Sequence, residues 1–201
     1  YKRFQKFITL TLLLTLIIGI FLDHLPLKAW VGFLLCAWVL ASIITRPTKW
    51  PLKLAHGGFA LSLMGMCLDT GLKQENTLAL KPGAHATLHD LTFELKHVTQ
   101  GHENTYEFER AHVICHKNSE KIVLLPEKRY YPNHKTLTTE TALHTHYLSH
   151  IYIILGGVLP DGRWTLRVAT HPWVCLIWLG AFIMALGAFM KSITLRRRKS
   201  Y

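Results

Sequence analysis

Leu54-Ala55-His56-Gly57-Gly58-Phe59-Ala60-Leu61-Ser62-Leu63-Met64-Gly65-Met66-Cys67-Leu68 contains no Asp, Glu, Lys or Arg, and whether it crosses a membrane decides the fold. Three other stretches are as free of charge, Phe7 to Leu22, Ala29 to Thr45 and Pro172 to Met190. A spanning helix needs about 20 predominantly apolar residues, with about 17 as the lower limit. The last stretch fits, the second just fits, and Phe7 to Leu22 and Leu54 to Leu68 are short. Basic residues settle the count, because Lys and Arg gather on the cytoplasmic side of membrane proteins. Residues 69–171 hold eleven Lys/Arg and eleven Asp/Glu, so the whole net charge of +11 lies outside that region. It is concentrated in Lys2, Arg3 and Lys6, in Arg46, Lys49 and Lys53, and in Lys191 with Arg196 to Lys199; only Lys28 falls in the Asp23 to Lys28 connection. Four spans keep all three clusters in the cytoplasm, whereas without the crossing at Leu54 to Leu68 the tail Arg196-Arg197-Arg198-Lys199 would be translocated.

The expected fold is therefore an α-helical membrane protein with four transmembrane helices (about 7–22, 29–45, 54–68 and 172–190). A β-rich domain over 69–171 is inserted on the outer face, and a basic tail, 191–201, lies in the cytoplasm. Nucleic-acid binding would want the basic residues on a folded surface among aromatics; here they flank the spans. Tyr1 is not an initiator Met and no small-residue cleavage site follows the first apolar run, so a removed signal peptide is a poor description and the chain is expected to begin within a longer protein. Within 69–171, Leu91 to Leu95, Tyr106 to Phe108 and Trp164 to Val168 alternate apolar with polar, the period of half-buried strands. Lys81-Pro82-Gly83, Lys117-Asn118-Ser119 and Pro160-Asp161-Gly162 read as turns, the last joining Ile151 to Leu155 and Trp164 to Val168 as an antiparallel hairpin. Gly180, Ala181, Ala185, Gly187 and Ala188 give the closing span small residues at helical spacings, which let another helix approach and point to packing in a larger bundle.

Four groups of residues have chemical potential. His56 sits in an apolar helix beside Gly57 and Gly58; a histidine at that depth faces a bundle interior or a functional site. Haem-iron ligation, a helix-to-helix hydrogen bond and an interfacial position all fit it, and the glycines would admit a planar group or a neighbouring helix. His144-Thr145-His146 with His150 is the densest part of an outer domain that holds eleven of the thirteen histidines. Imidazole is a common metal ligand, yet no carboxylate or Cys completes a recognisable spacing and a solvated loop is the favoured reading. Pro126-Glu127-Lys128-Arg129-Tyr130-Tyr131-Pro132 places cations beside aromatics; Lys128 and Arg129 suit carboxylates, haem propionates included, or the segment is a structural turn in which Glu127 pairs locally. Cys36, Cys67, Cys115 and Cys175 are too scattered for a CxxC motif. Cys36 reads as a small apolar residue in a span, and a disulfide among the other three is open in an oxidising compartment. No catalytic constellation is visible, and without a CxxCH motif the chain is not a c-type cytochrome.

Three ordered segments resemble the C-terminal portion of the CcmF family, the haem lyase subunits of bacterial system I cytochrome c maturation. Leu54-Ala55-His56-Gly57-Gly58-Phe59-Ala60 is similar to the family's LAHxG helix. Pro126-Glu127-Lys128-Arg129-Tyr130-Tyr131 with Thr139-Glu140-Thr141-Ala142-Leu143 resembles its PEKRxY…TEAAI run, with Thr141 and Leu143 in place of the usual Ala and Ile. Asp161-Gly162-Arg163-Trp164 through Pro172-Trp173 and Ile177-Trp178-Leu179-Gly180, with Met184-Ala185-Leu186-Gly187, resembles its final strand and span. The family's tryptophan-rich WWD segment and its flanking histidines lie upstream and are not in this chain, which would make it a fragment or the C-terminal product of a split gene.

The resemblance implies an inner-membrane protein with its inserted domain in the periplasm. It also implies that His56 is one axial ligand of a transmembrane haem b, with the other ligand supplied by the upstream portion. In the family, haem arrives on the chaperone CcmE and is joined to the CxxCH thiols of apocytochrome c, with CcmH/CcmI-type subunits as further partners; bis-His ligation suits electron transfer. The implied function is a part of that haem lyase rather than a complete active site. A non-catalytic scaffold or docking subunit of the same complex is the alternative. A membrane sensor ranks last, since only a short basic tail follows Met190.

Overall fold

The computed structural model describes residues 2–21, 25–117 and 120–199, and they form two compact units. One is helical and comprises residues 1–73 and 171–201; the other, residues 74–170, is built of strands.

The helical unit contains α1 (Lys2–Phe21), α2 (Leu27–Thr45), α3 (Trp50–Leu72) and α4 (Cys175–Lys199). Length and composition suit two helical segments for crossing a membrane, Leu27–Thr45 and Cys175–Thr194, while α1 has a shorter apolar stretch, Gln5–Ile17. The helix that contains the expected third span, 54–68, is longer than that stretch. Lys49 occupies the position before the α3 N-terminus without a side-chain capping bond, Pro51 sits in the first turn, where a missing N–H costs nothing, and the helix runs on to Leu72. At 23 residues it is about 34 Å long, but His56, Asp69 and its glycines dilute its hydropathy. The expected end of the first span, Leu22, and the Asp23 connection lie outside the described residues, as do Asn118, Ser119 and the last two residues of the tail.

The small residues of α4 do admit another helix, α3 of the same chain. Gly180 and Gly187 are buried against α3 of the same chain. A Cβ on Gly58 would fall 2.5 Å from the Gly180 carbonyl oxygen and 2.6 Å from the Met184 nitrogen, so the two backbones touch. The Ser62 hydroxyl donates to the Ile177 carbonyl at 2.9 Å. Ala181, Ala185 and Ala188 stay exposed on another face of α4. α2 packs on α3 through Ala29, Phe33 and Cys67, and the Cys36 thiol donates to the Ala60 carbonyl at 3.3 Å. Asp69 and His171, at 3.0 Å, join the end of α3 to the chain entering α4. The strand unit therefore begins at Gln74 rather than at the first acidic residue after the span.

The strand unit is a β-sandwich. Its strands are β1 (Gln74–Leu80), β2 (His85–Leu88), β3 (Leu91–His102), β4 (Glu107–Lys117), β5 (Glu120–Leu124), β6 (Glu127–Tyr131), β7 (Thr136–Glu140), β8 (Ala142–His146), β9 (Ser149–Val158) and β10 (Trp164–His171). One sheet has the order β1-β10-β9-β8; the other has β2-β3-β4-β6-β7, with β5 also paired to β4. The core comes from alternate residues of both sheets, Phe93, Leu95, Val113 and Cys115 facing Ile153, Leu155, Leu166 and Val168, all 0 % exposed, as expected for facing sheets. The expected turns at 81–83 and 160–162 are present, with Gly83 and Gly162 at positive φ. A β-bulge between Leu95 and His97 shifts the alternation. Odd residues face the core before it and even residues after it, so Val98, Gln100 and His102 continue the face begun by Phe93 and Leu95.

Candidate functional site

His56 lies in the second turn of α3 with an exposed ring. Its Nδ1 is 2.9 Å from the Leu52 carbonyl oxygen one turn back. A carbonyl can only accept, so Nδ1 is the donor; in the neutral ring this leaves the lone pair on Nε2, the arrangement found in metal-bound imidazoles. A small pocket of about 80 Å³ joins the ring to Ser42, Ile43, Arg46, Thr48 and Leu52. Of the two adjacent glycines, Gly58 is used by α4, while nothing lies within 4 Å of the position a Gly57 Cβ would take. The histidine thus presents a free nitrogen on a helix face that leaves room for a planar group.

The expected Pro126–Pro132 turn is a strand, β6, followed by a single 3-10 turn at Pro132–His134. Strand alternation divides its cations. Arg129 shares a face with Glu127 and Tyr131, whereas Lys128 and Tyr130 point to the other face, so Lys128 and Arg129 do not converge on one ligand. Glu127 is only 4 % exposed and accepts from the Arg110 Nε at 2.6 Å and the Arg129 Nε at 2.7 Å. The two guanidiniums lie over Phe108 and Tyr106 at 4.6 and 4.7 Å from the ring centres. Burial pushes the Glu127 carboxyl up, but Arg129 and Arg110 outweigh it and hold the group below the usual carboxylate range. Lys128 on the opposite face donates to Glu109 at 3.3 Å. Both cations are therefore engaged by the domain's own carboxylates, the pairing that the bland reading of the motif anticipated for Glu127.

The histidine cluster is built on strands rather than a loop. His144 and His146 project from one face of β8, opposite Ile151 and Ser149 of β9, while His150 faces the other way as the partner of Thr145. His146 is 3.4 Å from the Lys117 Nζ and 3.6 Å from Glu120. Among the described residues no group of three or more His, Cys, Asp or Glu could hold a metal ion. Cys36, Cys67 and Cys115 are buried thiols outside any disulfide, and burial pushes the Cys115 thiol up to about 11, away from the thiolate form that reacts. Sequence reasoning missed a groove of about 560 Å³ at the end of the larger sheet, lined by residues including Glu107, Glu109, Lys128, Tyr130 and Leu137. Its sequence signal is the switch from apolar to polar along the core-facing positions of β3 and β4, legible only once the bulge is known.

A family profile described as the CcmF C-terminal beta-sandwich matches residues 71–172. The cytochrome c-type biogenesis protein CcmF of Pseudomonas fluorescens is 29 % identical over 185 residues, which cover 83 % of this chain and 28 % of that protein. CcmF of Escherichia coli K12 is 28 % identical over 181 residues, 87 % of this chain and 28 % of its own length. The cytochrome c-type biogenesis protein CycK of Bradyrhizobium diazoefficiens is 31 % identical over 145 residues, 71 % of this chain and 22 % of its length. The chain thus spans about 28 % of the length of the first of these relatives. A solved structure titled Cytochrome c Heme Lyase CcmF superposes with a TM-score of 0.70 at 15 % identity, over 91 % of this chain and 33 % of that one, a likeness of fold. With the profile covering the whole sandwich, the chain belongs to the CcmF family and corresponds to its C-terminal portion.

Proposed function

We propose that this chain is the C-terminal part of a cytochrome c haem lyase and that His56 supplies one axial ligand of a transmembrane haem b. The observation that carries the reading is the His56 imidazole, whose Nδ1 is held by the Leu52 carbonyl while Nε2 is left for a metal. When bound, a haem with both axial positions filled supplies one-electron transfer. The Leu52 contact would fix the His56 ring and raise the basicity of its other nitrogen as a ligand, and Ser42, Arg46 and Thr48 in the same pocket offer polar contacts. Propionate contacts through Lys128 or Arg129 are a secondary proposal, since either cation would exchange a present partner, Glu109 or Glu127, for a propionate.

In this reading all four helices cross the bacterial inner membrane, with the sandwich in the periplasm and the basic tail in the cytoplasm. Trp50, 72 % exposed at the start of α3 with the Lys53 ammonium 5.4 Å from its ring centre, suits a membrane interface. The upstream, WWD-containing portion supplies the second haem ligand, CcmE delivers the haem to be attached, and apocytochrome c receives it on its CxxCH thiols, with CcmH/CcmI-type subunits as further partners. The alternative, a non-catalytic scaffold of the same complex, is favoured by the engaged state of the sandwich cations. Coexpression with the upstream portion and reduced-minus-oxidised spectra in detergent separate the two. Loss of a b-type signal in His56→Ala, with protein level and circular dichroism unchanged, is expected for the ligand; an unchanged signal removes that role and leaves the scaffold.

A further inference from the structure

Beyond the bulge, the core-facing side of the larger sheet is crossed by three successive rows of side chains. The first, Val98 and Ala111, belongs to the apolar core or packs against it. In the second, Gln100, Glu109 and Lys128 are cross-strand neighbours, and Glu109 accepts from Gln100 at 3.1 Å and from Lys128 at 3.3 Å, so the row is satisfied. The third is His102, Glu107, Tyr130 and Leu137, one residue from each of β3, β4, β6 and β7. It is open: Tyr130 is 40 % and Leu137 59 % exposed, and among the described residues Glu107 forms no ion pair. Since Glu109 and Lys128 offset each other, the groove has a surplus carboxylate at Glu107 and an apolar surface on the next two strands, about 5 Å away at Tyr130 and about 10 Å at Leu137 at the usual strand spacing.

We infer that this groove is a docking site for an extended segment of a partner polypeptide that carries a lysine or arginine two residues from a large apolar side chain, the spacing that puts both on one face. The cation pairs with Glu107 and the apolar group covers Tyr130 and Leu137. The Glu107 carboxylate disfavours an acidic segment, and a lone cation would leave Tyr130 and Leu137 uncovered. The inference is independent of the haem reading, and its test uses no haem.

The probe is a short fluorescent Ser/Thr-based peptide with Lys and Leu two places apart, compared with its Glu-for-Lys counterpart by anisotropy against the full 201-residue chain in detergent. The lysine peptide is expected to bind about three- to fivefold more tightly at low salt, the scale of one exposed ion pair. Glu107→Lys should reverse the preference, and Tyr130→Ala should weaken both peptides alike, with the circular dichroism of each variant unchanged. Equal binding of the two peptides, no binding, a preference that survives Glu107→Lys, or a groove occupied by a second copy of the chain as concentration rises would each overturn the assignment.

Discussion

Phe93 and Phe182 are the same residue in two different solvents. In the sandwich Phe93 is 0 % exposed, whereas on α4 Phe182 is 67 % exposed, in company with Trp178 at 69 % and Phe189 at 64 %. The sandwich covers its apolar side chains with its own second sheet. Small residues bring α3 and α4 together, and large ones such as Trp178, Phe182 and Phe189 are left facing outward. An exposed apolar surface of this extent marks a lipid or protein contact, so the sandwich carries its own core while the helical unit depends on what surrounds it.

That contrast can be broken at five places, first at the two phenylalanines taken together and then at three further sites in order of expected effect. Phe93→Ala should cost about 3–5 kcal/mol in chemical unfolding of the sandwich, as for large core deletions. Phe182→Ala should change unfolding in detergent by about 0.5 kcal/mol or less, as at a surface site; a loss as large as that of Phe93 would mean that α4 is buried. Gly180→Leu should disrupt the α3–α4 pair, because its Cβ falls on Ser62 Oγ and the Gly58 carbonyl, at about 1–3 kcal/mol; cross-linking between the helices reads it. Glu127→Gln should destabilise the sandwich by about 1–3 kcal/mol at pH 7, less than a fully buried pair because both arginines are partly exposed. The folded Glu127 pKa is depressed, so its contribution is present above the unfolded value and is lost as pH falls through the folded one. Wild type should therefore lose stability in acid through this group, and Glu127→Gln should show a flatter profile; identical profiles would show that the carboxylate contributes nothing. Arg163→Ala, at the exposed pair with Asp161, should leave unfolding unchanged.

The sequence made the fold legible wherever periodicity was unbroken. Leu91 to Leu95 and Trp164 to Val168 read as strands because one face is buried, and the Pro160-Asp161-Gly162 turn announced the hairpin. Where alternation was interrupted or polar on both faces, it failed. The bulge at Lys96 hid the continuation of β3, and Pro126 and Pro132 made β6 look like a turn although both prolines lie just outside the strand. For the same reason His144 and His146 read as a loop. His56 was visible as a polar residue in an apolar run, but its tautomer depends on the Leu52 carbonyl, a contact set by the helix itself. The division of Lys128 from Arg129 follows from strand alternation and became readable only once β6 was known to be a strand.

The most direct test of the account is the side of the membrane on which each connection lies. In a Cys175→Ser background, with the buried Cys36, Cys67 and Cys115 as silent controls, Asn104→Cys in the β3–β4 turn and Thr48→Cys between α2 and α3 would be exposed to a membrane-impermeant maleimide in intact cells with a permeabilised outer membrane. Labelling of Asn104→Cys alone, with Thr48→Cys reacting only after the inner membrane is lysed, is the predicted result. Labelling of both in intact cells, or of Thr48→Cys alone, would contradict a helical unit that crosses the membrane with the sandwich on its outer side.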